Sequence, residues 1–204
     1  MIVIPHTIPD LTARRTHPWT VTEYVEGGGE YHDFKLHPDL VSEVLEDFVA
    51  YSQQPAIQRF YDFVKWLNRP GGRFESNDCA FRGPASHQDV IFRWPLRASG
   101  RIEIFFRELI QNTSQDCVMW LVRMFHLYLS LKDRDVENVI FATSLNLTDF
   151  LGIQSVGNRL SVRFQVYGED EEAVFVSLDL AVKCLHHTLE RIEIALQTPI
   201  PAYP

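Results

Sequence analysis

Apolar positions along this chain recur with two periods, and each change of period marks a new element. Between Trp19 and Glu26 the residues alternate in part, Val21, Glu23 and Val25 against Thr22 and Tyr24, which predicts a strand closed by Gly27-Gly28-Gly29. The period then lengthens. Leu40, Val41, Val44, Leu45, Phe48 and Val49 fall three and four apart opposite Glu43, Glu46 and Asp47, so an amphipathic helix is expected with Pro38 in its first turn. Pro55 opens a second helix with Ile57, Phe60, Tyr61, Val64 and Leu67 on one face, widened by Phe63 and Trp66 and ending before Arg69-Pro70-Gly71-Gly72.

Alternation returns at Val90, Phe92, Trp94 and Leu96, and again at Ile102, Ile104 and Phe106. Two strands are predicted, with Ala98-Ser99-Gly100 as the hairpin loop between them. Pro95 cannot donate to a ladder, so the first of these strands lies at an edge or ends there. Thr113 or Ser114 can cap a helix running through Lys132, whose apolar face is Cys117, Leu121, Met124, Tyr128 and Leu131. Asn138 to Thr143 reads as a strand. The clearest alternation is Leu160, Val162, Phe164 and Val166 against Ser161, Arg163 and Gln165. After the solvated turn Gly168 to Glu172, Ala173 to Val176 is compatible with a helix start or a hairpin arm, and its β-branched Val-Phe-Val favours the strand. From Ser177 onwards Leu178, Ala181, Leu185, Leu189, Ile192 and Leu196 share one helical face that ends before Pro199.

The order is therefore hairpin, long helix, strand, hairpin, long helix, a weak echo of Val90–Lys132 in Leu160–Gln197. Residues 1–18, rich in Pro and Thr and without a period, read as an N-terminal arm. Residues 19–204 read as one α+β domain: an antiparallel-rich sheet covered by two long helices, with an N-terminal helical pair. A doubly wound nucleotide fold is disfavoured, because strands and helices do not alternate one for one and neither GxGxxG nor GxxxxGK[ST] occurs.

Composition narrows the classes further. At 204 residues and 46% hydrophobic, with 14 Phe, 7 Tyr and 4 Trp, the chain can bury a substantial core. Its three cysteines, Cys79, Cys117 and Cys184, are odd in number and scattered, which points to free thiols and a reducing cytoplasm. Met1 to His6 is too short for a secretory leader, and no run approaches the roughly 20 apolar residues of a membrane helix. A formal net charge of −8 argues against duplex nucleic acid as a partner.

That charge is unevenly spread. Arg59 to Arg107 holds eight arginines and one lysine against five acids, a net of +4, so the remainder carries −12. Within this window Phe74 to Asp89 crowds carboxylate, thiol, guanidinium and imidazole groups together. If the second strand is regular, Arg93, Arg101 and Arg107 share parity with Glu103 on the face opposite Phe92 and Ile104. Guanidinium forks on such a face suit a planar oxyanion, or pair with acids of the protein's own surface.

The expected site is Arg82, Arg93 and Arg101 with Asp78 and His87, binding an anionic small molecule or an acidic protein partner without catalysis. Association into a homo-oligomer is expected, and no cofactor, metal or catalytic residue is assigned. A second reading is a small hydrolase or transferase using Glu75 to His87, with Cys79 as nucleophile, His87 as base and Asp78 or Asp89 orienting the ring. A third is a structural interaction protein whose arginines pair only internally. His32-Asp33, His37 with Asp39, and His186-His187 with Glu190 carry metal-ligand chemistry, but none matches the spacing of a metalloprotease helix. His126 borders the apolar stripe of its helix and reads as a half-buried core histidine. Trp66 and Trp94 are candidates for a subunit interface.

Overall fold

The strongest alternation in the sequence, Leu160 to Val166, lies in the strand on which the sheet is centred. The computed structural model describes residues 1–17, 23–26, 29–88, 92–130 and 136–197. In chain order the first elements are β1 (Ile2–His17), β2 (Glu23–Glu26), β3 (Gly29–His32), α1 (Val41–Val44), α2 (Glu46–Val49) and α3 (Pro55–Leu67). They are followed by β4 (Phe74–Glu75), β5 (Cys79–Ser86), β6 (Leu96–Phe106), α4 (Gln115–Ser130), β7 (Val139–Phe150), β8 (Ser155–Gly168) and α5 (Glu171–Gln197). The expected strand starts at Trp19 and Val90, the Gly27-Gly28 turn, and the helix ends at Leu131–Lys132 and Pro199 lie outside the described residues.

The fold is mixed α+β. Its six-stranded sheet runs β1-β7-β8-β6-β4, and β5 also pairs with β6. All pairings are antiparallel except β1 with β7, which is parallel. β2 and β3 form a separate antiparallel ribbon. Directly opposed residues share a face, so the register sorts the side chains into two sets. Ile102 opposes Val162, Gly100 opposes Phe164, and Phe141 opposes Phe164 from the other side. These apolar pairs join the core contributed by α3, α4 and α5. The opposite face carries Arg101 against Arg163, Glu103 against Ser161 and Asn146 against Arg159.

Several expectations are corrected. The N-terminal stretch is not a free arm, since Ile2–His17 pairs along β7, with register shifts between His6 and Asp10 and between Asp10 and Arg15. The helix expected over 38–49 is broken: Pro38–Leu40 is 3-10, and Leu45 at ψ 71° separates α1 from α2. Helical spacing of apolar residues describes which side faces the core, and these short turns use it while the chain bends.

Ala98-Ser99-Gly100 is not a turn but the interior of β6, whose partner in the hairpin is β5. Gly100 is needed there because a Cβ would lie 2.2 Å from the Phe164 ring, which crosses the strand at that point. The strand expected over 138–143 continues to Phe150, and β7 and β8 form a second long hairpin. The two hairpins are each followed by a long helix, β5-β6-α4 and β7-β8-α5, so the expected echo survives with different members.

α4 is capped as expected, the Ser114 Oγ accepting from the Cys117 N–H at 3.4 Å. Its buried stripe, however, is Val118, Leu121, Val122, Phe125 and Leu129, while Cys117 is exposed. Ala173 to Val176 is helical, not a hairpin arm. Asp170 accepts from the Ala173 N–H at 2.8 Å and so caps the start, and Glu171 and Glu172 lie in the first turn where the helix dipole favours acids. Burial of Val174, Phe175 and Leu178 on one side outweighs the few tenths of a kcal/mol, roughly, by which β-branched residues disfavour a helix.

Candidate functional site

The face of the sheet turned away from the helices is polar over most of its length, and its character changes along the strands. At one end Tyr167 packs against Phe92 and His87, with ring centroids 4.7 and 5.0 Å apart. At the other end His17 of β1 packs between Phe105 and Phe150, at 5.0 and 5.4 Å. Charged and hydroxyl side chains fill the middle.

Three adjacent strands bring guanidinium groups together there. Arg101 and Arg163 are direct cross-strand partners on β6 and β8. Arg82 opposes Ser99, two residues along β6 from Arg101, or roughly 7 Å of strand. Arg82, Ser99, Arg101, Arg163 and Gln165 line an open depression of about 350 Å³ with Ala80 and the Gly100 backbone. Arg82 and Arg163 are exposed. Among the described residues, neither has an ion-pair partner.

Arg101 is held differently. Its guanidinium donates to Asp78 at 2.7 Å, and Asp78 also faces Arg15 at 3.5 Å. The Arg101 Nε lies 3.4 Å from Glu103, within ion-pair distance but without hydrogen-bond geometry. Glu103 is buried and accepts from Arg159 Nε at 2.8 Å and from Ser161 Oγ at 2.9 Å. Burial pushes its carboxyl above the usual range, more than Arg159, Ser161 and Arg101 bring it down. Arg159, the largest fully buried side chain, also donates to the Leu147 carbonyl and, at 3.0 Å, to Thr148 Oγ1. The result is a largely buried ion network, with Arg101 Nε left without a hydrogen bond among the described residues, beside the more exposed Arg82 and Arg163.

Of the five residues expected at the site, Arg82 and Arg101 line the depression and Asp78 orients Arg101. His87 lies just beyond β5, its Nε2 bonded to the Trp94 carbonyl oxygen at 2.6 Å. Arg93 is exposed in the connection before β6 and is not among the residues lining the depression. The shared parity expected for Arg93, Arg101 and Arg107 is therefore corrected. Arg93 precedes the strand, and Arg107 follows it and donates to the carbonyls of Asn68 and Arg69 at 2.6 and 2.8 Å. The residue that sequence reasoning missed is Arg163. Alternation puts it on the polar side of its strand, but no local signal pairs it with Arg101.

The cysteine–histidine pairing is not assembled. Cys79 begins β5 and His87 follows its other end, roughly 25 Å of extended chain away. The thiol faces Ser76 at 3.6 Å, and burial pushes its pKa up to about 12, aided by Asp78 and Glu103. Glu75 is buried between His17 Nε2 at 3.0 Å and Lys35 Nζ at 2.7 Å. Among the described residues no three His, Cys, Asp or Glu side chains group as metal ligands. His186 and His187 lie 3.6 and 3.7 Å from Glu190, and His186 packs on Trp66. His126 bonds Thr143 Oγ1 and is partly buried. The side chain of His32 lies outside the described residues. None of the described helices is long and apolar enough to cross a membrane.

No protein-family model, curated protein or solved structure matches this chain.

Proposed function

We propose that this protein is a non-catalytic binding module whose helix-free sheet face receives an anionic small molecule or an acidic segment of a partner. One observation carries the reading: Arg82, Arg101 and Arg163, from three neighbouring strands, surround one open depression, and the first and last are exposed without an ion-pair partner among the described residues. Guanidinium groups remain charged at any physiological pH and bind planar oxyanions through paired N–H groups. Arg101, oriented by Asp78, supplies direction, while Arg82 and Arg163 supply charge. On a chain of net charge −8, such a local cluster favours anions that approach this face only. A homo-oligomeric state and a cytoplasmic setting belong to the same proposal, the latter supported by three cysteines that form no disulfide.

The enzyme alternative draws no support from the geometry around Cys79 and His87. The binding reading is tested by melting curves in citrate or phosphate against chloride at matched ionic strength. A ligand that binds only the folded state raises the melting temperature by mass action. The Arg82→Ala, Arg163→Ala variant is expected to lose that rise while melting normally in chloride. An unchanged rise in the variant would sink the reading.

A further inference from the structure

The polar lining of the sheet-face depression is of one kind. Arg82, Ser99, Arg101, Arg163 and Gln165 can all donate hydrogen bonds into it, and no carboxylate is among the described residues that line it. Gln165 is held for that role, because the hydroxyl of the buried Tyr167 donates to its Oε1 at 2.8 Å. With the carbonyl end engaged, the amide nitrogen is left for an acceptor.

Charge is left over on two of the three arginines. Asp78 accepts from Arg101 at 2.7 Å and offsets its charge, whereas Arg82 and Arg163 are exposed and have no ion-pair partner among the described residues. Arg163 also stands directly opposite Arg101, and like charges so placed cost a sheet stability. The two uncompensated charges start from well-separated points. Arg82 on β5 opposes Ser99 and Arg163 on β8 opposes Arg101, from either side of β6, so their backbones lie two strand spacings apart across the sheet and two residues apart along it, roughly 12 Å in all. A carboxylate neutralises one of these charges and leaves the other.

We infer that the occupant is a small organic dianion with two acidic groups at the ends of a short backbone, one against Arg82 and the other against Arg163, with Arg101 and Gln165 donating between them. This rests on the reading of the depression as an anion site and narrows it to one class of ligand. Two acidic groups neutralise both free guanidinium groups and relieve the repulsion between Arg163 and Arg101, while each fork grips its own planar oxyanion. Size favours a small molecule over a segment of a partner. A depression of about 350 Å³ falls at the lower end of the roughly 300–1,000 Å³ typical of small-ligand pockets.

The test titrates the full chain with succinate, glutarate and adipate, and with butyrate and inorganic phosphate as single-group probes, at neutral pH and constant ionic strength, following the arginine Nε–H resonances by NMR. One of the dicarboxylates is expected to bind at least tenfold more tightly than butyrate or phosphate. Arg82→Ala and Arg163→Ala are each expected to bring it to within about threefold of butyrate, whereas Arg93→Ala, which removes the same charge outside the depression, leaves the preference in place. Both lining arginines are exposed, so the variants should fold, which melting curves in chloride check. Butyrate or phosphate binding as tightly as every dicarboxylate would overturn the inference and leave the anion site standing. Equal weakening by Arg93→Ala, or a preference that survives Arg82→Ala or Arg163→Ala, would overturn it as well. Failure of all these anions to bind would overturn both readings. A peptide with two glutamates that binds tenfold more tightly than the best dicarboxylate, and is lost in the same two variants, would make the occupant a partner segment and sink the small-molecule assignment.

Discussion

His17 and Glu75, from strands at opposite ends of the sheet order, meet through a buried hydrogen bond of 3.0 Å. β1 and β4 share no backbone ladder, so the sheet must curl until its two edges are joined by side chains. Arg15 and Asp78 repeat the junction one step along, at 3.5 Å and in a more exposed setting. Glu103, Arg159 and Ser161 are buried on this face, whereas Arg82 and Arg163 of the arginine-lined depression are exposed.

Breaking that junction is expected to cost much of the fold's stability. His17→Ala removes the ring between Phe105 and Phe150 and leaves Lys35 as the remaining partner of Glu75 among the described residues, so a loss of about 3–5 kcal/mol is expected. Urea denaturation of the variant and parent measures it. A loss below about 1 kcal/mol, the scale of an exposed pair, would mean that the junction is incidental.

Glu75 and Glu103 are expected to have opposite pH signatures. Burial pushes Glu75 up, but His17 and Lys35 together bring it below its ordinary value. Its folded pKa is depressed, so its stabilisation is present above the unfolded value of about 4.5 and is lost as pH falls through the folded one. Glu103 is raised by burial, so the folded state holds its proton longer than the unfolded chain does. Stability then declines as pH rises from the unfolded value through the folded one. Measured by urea midpoints, the parent's advantage over Glu75→Gln should shrink on acidification below about pH 4.5. The parent's advantage over Glu103→Gln should instead shrink as pH rises above that point. Parallel profiles for the two variants would contradict the assignment.

Cys79 is expected to resist alkylation. With its pKa pushed up to about 12, the thiol holds its proton throughout the neutral range. Iodoacetamide labelling from pH 6 to 9, followed by mass spectrometry, should modify the exposed Cys117 first and leave Cys79 and the buried Cys184 slow. Fast labelling of Cys79 at pH 6, abolished by His87→Ala, would revive the nucleophile reading.

Gly100→Ala is expected to destabilise the protein by about 1–3 kcal/mol through overpacking against Phe164. Combining it with Phe164→Leu, which shortens the obstructing ring, should cost less than the sum of the two single changes. Additive losses in a double-mutant cycle would show that the ring is not what requires glycine there.

The sequence by itself determined the α+β class, the limits of α3, the cap of α4 and the apolar face of β8, because each depends on residues within a turn or two of one another. Pro55, Ser114 and the alternation from Leu160 to Val166 act locally, and the structure uses them as read. It could not fix what depends on partners far along the chain. Gly100 resembles a turn until Phe164 is laid across it, and Ala173 to Val176 resembles a strand until the core takes Val174 and Phe175. The first seventeen residues have no period because the register slips twice along β7. The same holds at the candidate site. Arg82 and Arg101 stood out by local charge, but Arg163 joins them only through the pairing of β6 with β8, a contact between positions about sixty residues apart. Tertiary structure decided which arginines converge and which were already paired, because cross-strand register is set by the packing of both sheet faces and not by any one segment.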